Sequence, residues 1–360
     1  MRASSTRPRS SWREARRTGQ PRHRFALPAA SHIAEWRPAN KSLLDLTSRA
    51  RSRARARLGI VLMCRAAPPA AVNSFLTYHF AIGFERIFLY LDDASEDYWA
   101  SLVLEQTERL IVHRCDARFW AERLASSTMV AHRTEQKVFD DVARCWKTEA
   151  QSRQSLCVEH AITLGSELGL DWLLHIDVDE AFLPATMHPC DFFAAVPAEY
   201  DQCFFANLEG VPEREDLIDW FCEVERFKVN MAFVTDRVAF DAVWQQVEAA
   251  RRNAEPTSEP SSYFIAYTSG KSAIRLPHRG TCRLPVPFDV HKFLVPAVAG
   301  GWRAASTLSC AQQLAMEDCP VVLHYPSCGY ANWRAKYTAL GNHTASSICS
   351  CPALARCEHA

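Results

Sequence analysis

The sequence predicts an α/β protein: a Rossmann-type, mostly parallel sheet flanked by helices in a single domain. Three observations predict it. Short apolar runs recur, as in Leu58–Met63, Ile87–Leu91 and Trp172–Ile176, the mark of strands buried on both faces. Between them Val72, Phe75, Leu76 and His79 recur at helical spacing. Two of the runs end abruptly in carboxylates, at Asp92 and at Asp177, and open α/β sheets bind ligands beyond the C-terminal ends of their strands.

Residues 1–57 are rich in Arg, Ser, Pro and Ala and lack hydrophobic periodicity, so they cannot bury enough apolar surface to fold alone. They are expected to be a disordered basic extension: a transit peptide, an unstructured arm, or a piece outside the working protein. Through residue 58 there are 15 Lys and Arg against three acids; from totals of 41 each, 26 basic and 38 acidic residues remain for the rest. An acidic body argues against general nucleic-acid binding. The series Arg49, Arg51, Arg53, Arg55, Arg57 has no interleaved aromatics, which weakens that role further. No stretch approaches the roughly 20 apolar residues of a membrane helix, so no transmembrane anchor is expected in this chain.

Leu58-Gly59-Ile60-Val61-Leu62-Met63-Cys64 reads as the first strand. Pro68-Pro69 breaks the chain, and Ala71 to Ile82 reads as a helix closed by Gly83. Arg86–Leu91 is the second strand, completing a right-handed βαβ unit. A helix around Tyr98 to Gln106 leads to a third strand, Leu110–His113. Residues 114–148 are less regular and are expected to form a loop over the sheet. Thr148 to Leu168, closed by Gly169, is a long helix feeding the strand Trp172–Ile176. Ala249 to Ser262 reads as an inserted polar loop. The domain is expected over residues 58–340, followed by a flexible tail, 341–360, that contains Cys349, Cys351 and Cys357. The 14 cysteines are scattered without a C-x-x-C pair, and a chain of 360 residues needs no disulfide framework. Cys64 and Cys157 are expected in the core.

The chemistry concentrates at Asp177-Val178-Asp179-Glu180. In extended backbone Asp177 and Asp179 point the same way. Two hard oxygen ligands on one side suit Mn²⁺ or Mg²⁺ shared with a substrate phosphate. The plainer alternative is a solvated acidic turn. Asp92 and Asp93, closing the second strand, would accept hydrogen bonds from ribose hydroxyls or face the base; a turn with Ser95 is the competing reading. Lys271 and Arg275 sit in a segment that reads as too polar for the core and would bind phosphate or a carboxylated acceptor. His324 follows Pro320–Leu323 as Asp177 follows its own strand. It is expected as a third metal ligand, with His291 next.

The run from Asn73 to Tyr90, with Tyr78-His79 and Gly83 inside it, resembles the opening of GT-A-fold glycosyltransferases of the family 92 and family 2-like groups. Asp177-Val178-Asp179-Glu180-Ala181-Phe182-Leu183 is similar to their D-x-D-E-F block. Gly270-Lys271-Ser272-Ala273-Ile274-Arg275 with His291, and His324-Tyr325 with Lys336, are similar to their C-terminal basic and histidine motifs. The resemblance covers roughly residues 58–340. It departs at Ala66-Ala67, where an Asn-Glu pair is common, at Ser74-Phe75, where Glu-Trp is common, and at Phe205–Gly210, a reduced form of the usual stretch.

The resemblance implies a GT-A-like fold and a metal-dependent hexosyltransferase that moves a sugar from a nucleoside diphosphate, UDP by default, to a glycan or other hydroxyl acceptor. It places Arg153 and Gln154 towards the donor, and it implies a secretory lumen. An inverting enzyme needs a carboxylate base near the acceptor, for which Glu209 is the first candidate and Asp289 the second. Two alternatives compete. One is a GT-A-like domain that binds nucleotide-sugar without turnover, suggested by Ala66-Ala67 and Ser74. The other is a haloacid-dehalogenase-type phosphatase, which would need Thr or Val at Ala181 and its motif on the first strand.

Overall fold

The computed structural model describes residues 55–334, except 66, 93–107, 235, 255–268, 278, 282, 327, 328, 330, 332 and 333. In chain order the first elements are β1 (Leu58–Cys64), α1 (Pro69–Ala81), β2 (Arg86–Leu91) and β3 (Leu110–Arg114). Four helices follow: α2 (Ala117–Ser126), α3 (Thr128–Ala131), α4 (Lys137–Cys145) and α5 (Ala150–Glu167). Next come β4 (Trp172–His175), β5 (Glu180–Leu183), α6 (Pro189–Ala195), β6 (Gln202–Phe205), β7 (Asn207–Val211) and α7 (Trp220–Glu223). The rest comprises β8 (Arg226–Lys228), α8 (Arg237–Ala254), β9 (Lys271–Arg275), β10 (Val286–Pro287) and β11 (Phe293–Pro296). It closes with β12 (Trp302–Ala304), β13 (Thr307–Ser309), α9 (Cys310–Gln313) and β14 (Val321–His324).

The main sheet has seven strands in the order β13-β6-β9-β4-β1-β2-β3. β1 pairs parallel with β2 and β4, β2 with β3, and β13 with β6; β9 alone runs antiparallel to both its neighbours. The mostly parallel α/β sheet read from the sequence is therefore present. β1, β2 and β4 are almost wholly apolar because both faces are covered. Ile60, Leu62 and Cys64 join α1's Ala71, Val72, Phe75 and Leu76 in one core. Val61 and Met63 join α5's Leu156, Cys157, Ala161 and Ile162 in the other. The period-two alternation thus divides one strand between two cores. Gly83 and Gly169 end α1 and α5 with positive φ, a conformation that costs glycine least. A second sheet, β5-β14-β7-β8, and a small β10-β11-β12 meander complete the fold. Among the described residues no helix is long and apolar enough to cross a membrane.

The structure corrects several expectations. Residues 114–148 hold α2, α3 and α4 rather than a loop. Asp116 caps α2 by accepting from Phe119 N, and Ser127 caps α3 by accepting from Val130 N. Phe119, Trp120, Met129, Phe139 and Val142 supply the buried stripe that lays these short helices on α5. Residues 249–254 of the expected polar loop close α8 instead, while 255–262, the helix around 98–106, and the tail lie outside the described residues. The folded body also begins before residue 58. Arg57 donates to the Leu168 and Gly169 carbonyls beyond α5 and to Glu85, and its N–H donates to Asp171.

The largest correction concerns Lys271–Arg275. This segment is β9, a buried inner strand between β4 and β6, and not a polar surface stretch. Its entry depends on Gly270. A Cβ there would overlap the Phe205 carbonyl oxygen and lie 2.7 Å from its carbon and 2.9 Å from Ala206 Cα. Backbone cannot yield as a flexible side chain does. Gly270→Ala is therefore expected to cost about 2–3 kcal/mol, read as a lowered urea midpoint at unchanged slope.

Acid lability is built into α1. His79 is fully buried, donates from Nδ1 to Phe75 O at 2.8 Å and accepts Phe182 N–H on Nε2 at 3.1 Å. Burial pushes its pKa down to about 3 from an ordinary 6.5, so the folded state holds it neutral. Between those values the unfolded chain binds the extra proton, and stability is lost as pH falls from about 6.5 towards 3. At 1.36 kcal/mol per unit the loss by pH 4 is about 3 kcal/mol. His79→Gln should lessen that dependence, which His175, His160 and His113 share because burial lowers them too; urea midpoints that fall equally with pH in both proteins would refute the assignment.

Candidate active site

The strand order reverses beside β1: the chain runs outward through β2 and β3, then returns to place β4 on β1's other side. Crevices at such switch points, beyond the C-terminal strand ends, are where doubly wound sheets take ligands. The first turns of α5 span this crevice. Arg153 donates from Nε to both Asp92 oxygens at 3.0 and 2.9 Å, and its Nη2 lies 2.9 Å from Oδ2. Its Nη1 donates to Trp146 O. The adjacent Gln154 donates its amide to Asp177 Oδ1 at 2.6 Å. Two consecutive helical residues therefore hold the acid that follows β2 and the acid that follows β4.

The acidic segment is a turn, not the extended backbone expected from the Asp-x-Asp alternation. Glu180 N donates to Asp177 O at 3.0 Å, and Asp177 N donates back to Glu180 Oε2 at 2.8 Å. That reciprocal pair closes the chain on itself and sends β5 into the second sheet. Lys271 reaches the turn from the start of β9, with Nζ 2.6 Å from Asp177 Oδ2 and 3.5 Å from Glu180 Oε2. A lysine can be buried here because its charge meets two carboxylates. Burial raises the Glu180 carboxyl well above the ordinary carboxylate range, although Lys271 pulls the other way. In the sequence only the run of three carboxylates within four residues marks Glu180.

Asp179 leaves the turn on the side facing β14. Tyr325 N donates to Asp179 O at 2.9 Å, stapling the turn to the end of β14. His324 Nε2 consequently stands 4.0 Å from Asp179 Oδ2. Register places Glu180, His324, Glu209 and Lys228 side by side across β5, β14, β7 and β8, so they emerge on one face. Glu209 is buried and ion-paired to Lys228 at 3.0 Å. Tyr78-His79 holds the free edge of β5: Tyr78 Oη donates to Phe182 O and His79 accepts from Phe182 N. This pair, prominent in the sequence, thus clamps the strand that carries the acidic turn. Beside it, Phe75 is core and Ser74 Oγ bonds Asp219.

Of the other predicted residues, Arg275 stands apart from the turn, whereas Asp289 and His291 lie on its Lys271 side, close enough for His291 to feel Lys271 and Asp177. Arg275, at the far end of β9, donates to the carbonyls of Tyr200, Val196 and Pro197 and lies 4.3 Å over the Trp172 ring. That set ties α6 to the sheet. Asp289 accepts His291 N–H at 2.6 Å in the turn before β11. The His291 ring engages Gly270 O at 2.6 Å through Nδ1, and burial first, then Lys271, lowers its pKa. Asp93 and Lys336 lie outside the described residues.

No family model matches the chain. It is similar to two proteins of Arabidopsis thaliana. It is 30% identical to Glycosyltransferase-like At2g41451 over 206 residues, 56% of this chain and 42% of that protein. It is 27% identical to Glycosyltransferase-like At3g57200 over 214 residues, 56% of this chain and 37% of that protein. The chain spans about two fifths of the length of these curated relatives.

Proposed function

We propose that the protein is a glycosyltransferase that moves a sugar from a nucleoside-diphosphate donor to a hydroxyl of a glycan or similar acceptor. The observation that carries this reading is the meeting of Asp179 and His324, 4.0 Å apart, where the turn after β4 is stapled to the end of β14. The glycosyltransferase-like names of the relatives support it. Asp179 and His324 would offer Mn²⁺ a carboxylate and an imidazole, with phosphate oxygens and water completing its shell, since among the described residues no group of three or more His, Cys, Asp or Glu is placed to hold a metal ion. When bound, the cation would neutralise charge on the departing diphosphate.

The chain's own residues supply the rest. Asp92, oriented by Arg153, accepts hydrogen bonds from the donor's ribose or base. Tyr78 and His79 keep the acidic turn in place from behind. Glu209, beside His324 in the register, serves as the base of an inverting transfer. A UDP-sugar is the first donor to try, on the family resemblance alone. The test is a thermal-shift screen of nucleoside-diphosphate sugars with Mn²⁺, followed by donor hydrolysis and transfer. A ligand at 100 times its Kd adds about 2.7 kcal/mol, an easily read shift. If no nucleotide-sugar stabilises the full chain and none is turned over, the proposal fails.

A further inference from the structure

The two aspartates of the acidic turn have different surroundings. Both oxygens of Asp177 are engaged by protein donors, Gln154 at 2.6 Å and Lys271 at 2.6 Å, the distances of strong charge-assisted bonds. Asp177 is 21% exposed, whereas Lys271 and Glu180 below it are closed off. Glu180 Oε1 is buried and has no hydrogen-bond partner among the described residues. The interior side of the turn is therefore a carboxylate pocket whose positive charge is a lysine. Asp179, by contrast, faces His324.

Resting on the metal-dependent transfer proposed above, we propose that Lys271 is a resident counter-cation that withdraws Asp177 from the metal's ligands. The divalent ion is then confined to Asp179 and His324. Asp177 becomes a positioning group that fixes Gln154, and so the start of α5, against the turn. The physical reason is exclusion. An ion bridging both aspartates would have to displace a contacting ammonium and an amide, and would meet the repulsion of the ammonium it displaced. Removing the ammonium should free Asp177 and Glu180 to accept a divalent cation themselves.

The experiment uses the full chain with Mn²⁺ alone as the probe, with binding and stoichiometry read by electron paramagnetic resonance. Asp177→Asn is expected to stay within about threefold of the parent affinity, and Asp179→Asn to lose at least about tenfold. Lys271→Met should gain about tenfold in affinity or a second equivalent of Mn²⁺, and adding Asp177→Asn should erase the gain. A lysine that merely filled space would leave the stoichiometry unchanged. Asp177→Asn weakening Mn²⁺ as much as Asp179→Asn, or Lys271→Met binding no better than the parent, overturns the inference. If Lys271→Met does not fold, the Asp177→Asn comparison decides alone. A parent that binds no Mn²⁺ beside a Lys271→Met variant that does would sustain the counter-cation role and sink metal-dependent transfer. A parent that binds Mn²⁺ through Asp179 but turns over no nucleotide-sugar would sink the transfer reading alone.

Discussion

Asp179→Asn is expected to lower cation-dependent turnover by on the order of a thousandfold while the protein stays folded. The amide keeps the shape of the carboxylate. The backbone staple survives, because Tyr325 N bonds the Asp179 main-chain oxygen and not its side chain. What disappears is the Asp179 carboxylate oxygen that faces His324 Nε2 at 4.0 Å. Hard cations choose anionic over amide oxygen, so the ion would be left with an imidazole and the donor's phosphates. Charge on the departing diphosphate would then go unneutralised, a deficit of several kcal/mol. At 1.36 kcal/mol per tenfold, about 4 kcal/mol is a thousandfold. Initial rates with and without Mn²⁺, beside a melting curve, check it. Near-parental rates would remove Asp179 from the cation site, and a variant that does not fold would make its role structural.

How much of this was legible in the sequence differs between the sheet and the site. β1, β2 and β4 were legible because strands buried on both faces are apolar at nearly every position, Arg86 and His175 at their ends being the exceptions, and Gly, Pro and acids mark where they stop. α2, α3 and α4 were not, because none is longer than ten residues, and so short a stripe barely completes its period. β9 was hidden by its two charges. Lys271 and Arg275 look like surface residues until their partners are placed, and Asp177 and the carbonyls at Val196, Pro197 and Tyr200 are distant in the chain. Asp177, Asp179 and His324 could be singled out because each follows a buried strand. Which aspartate meets Lys271 and which faces His324 could not be read, since both partners are distant in the chain. The alternation argument failed for a local reason: Glu180 bonds back to Asp177 N and folds the segment into a turn.

The pair that closes the crevice on its other side sets the last expectation. Arg153→Met should destabilise the protein by about 3–5 kcal/mol. The guanidinium makes a forked contact with Asp92, and the two side chains are only 9% and 6% exposed. Removing one member leaves a buried carboxylate without its counter-charge, and that desolvation cost far exceeds the worth of an exposed pair. The Nη1 bond to Trp146 O, which anchors the segment entering α5, is lost as well. Adding Asp92→Asn to Arg153→Met removes the stranded charge, so the double variant should recover at least about 1 kcal/mol relative to the single one. Urea unfolding of both variants measures that recovery. Donor titration then separates the two roles of Asp92. A double variant that regains stability and binds nucleoside diphosphate normally would make the pair purely structural. One that regains stability but binds at least tenfold more weakly would show that the carboxylate held by Arg153 also contacts the donor.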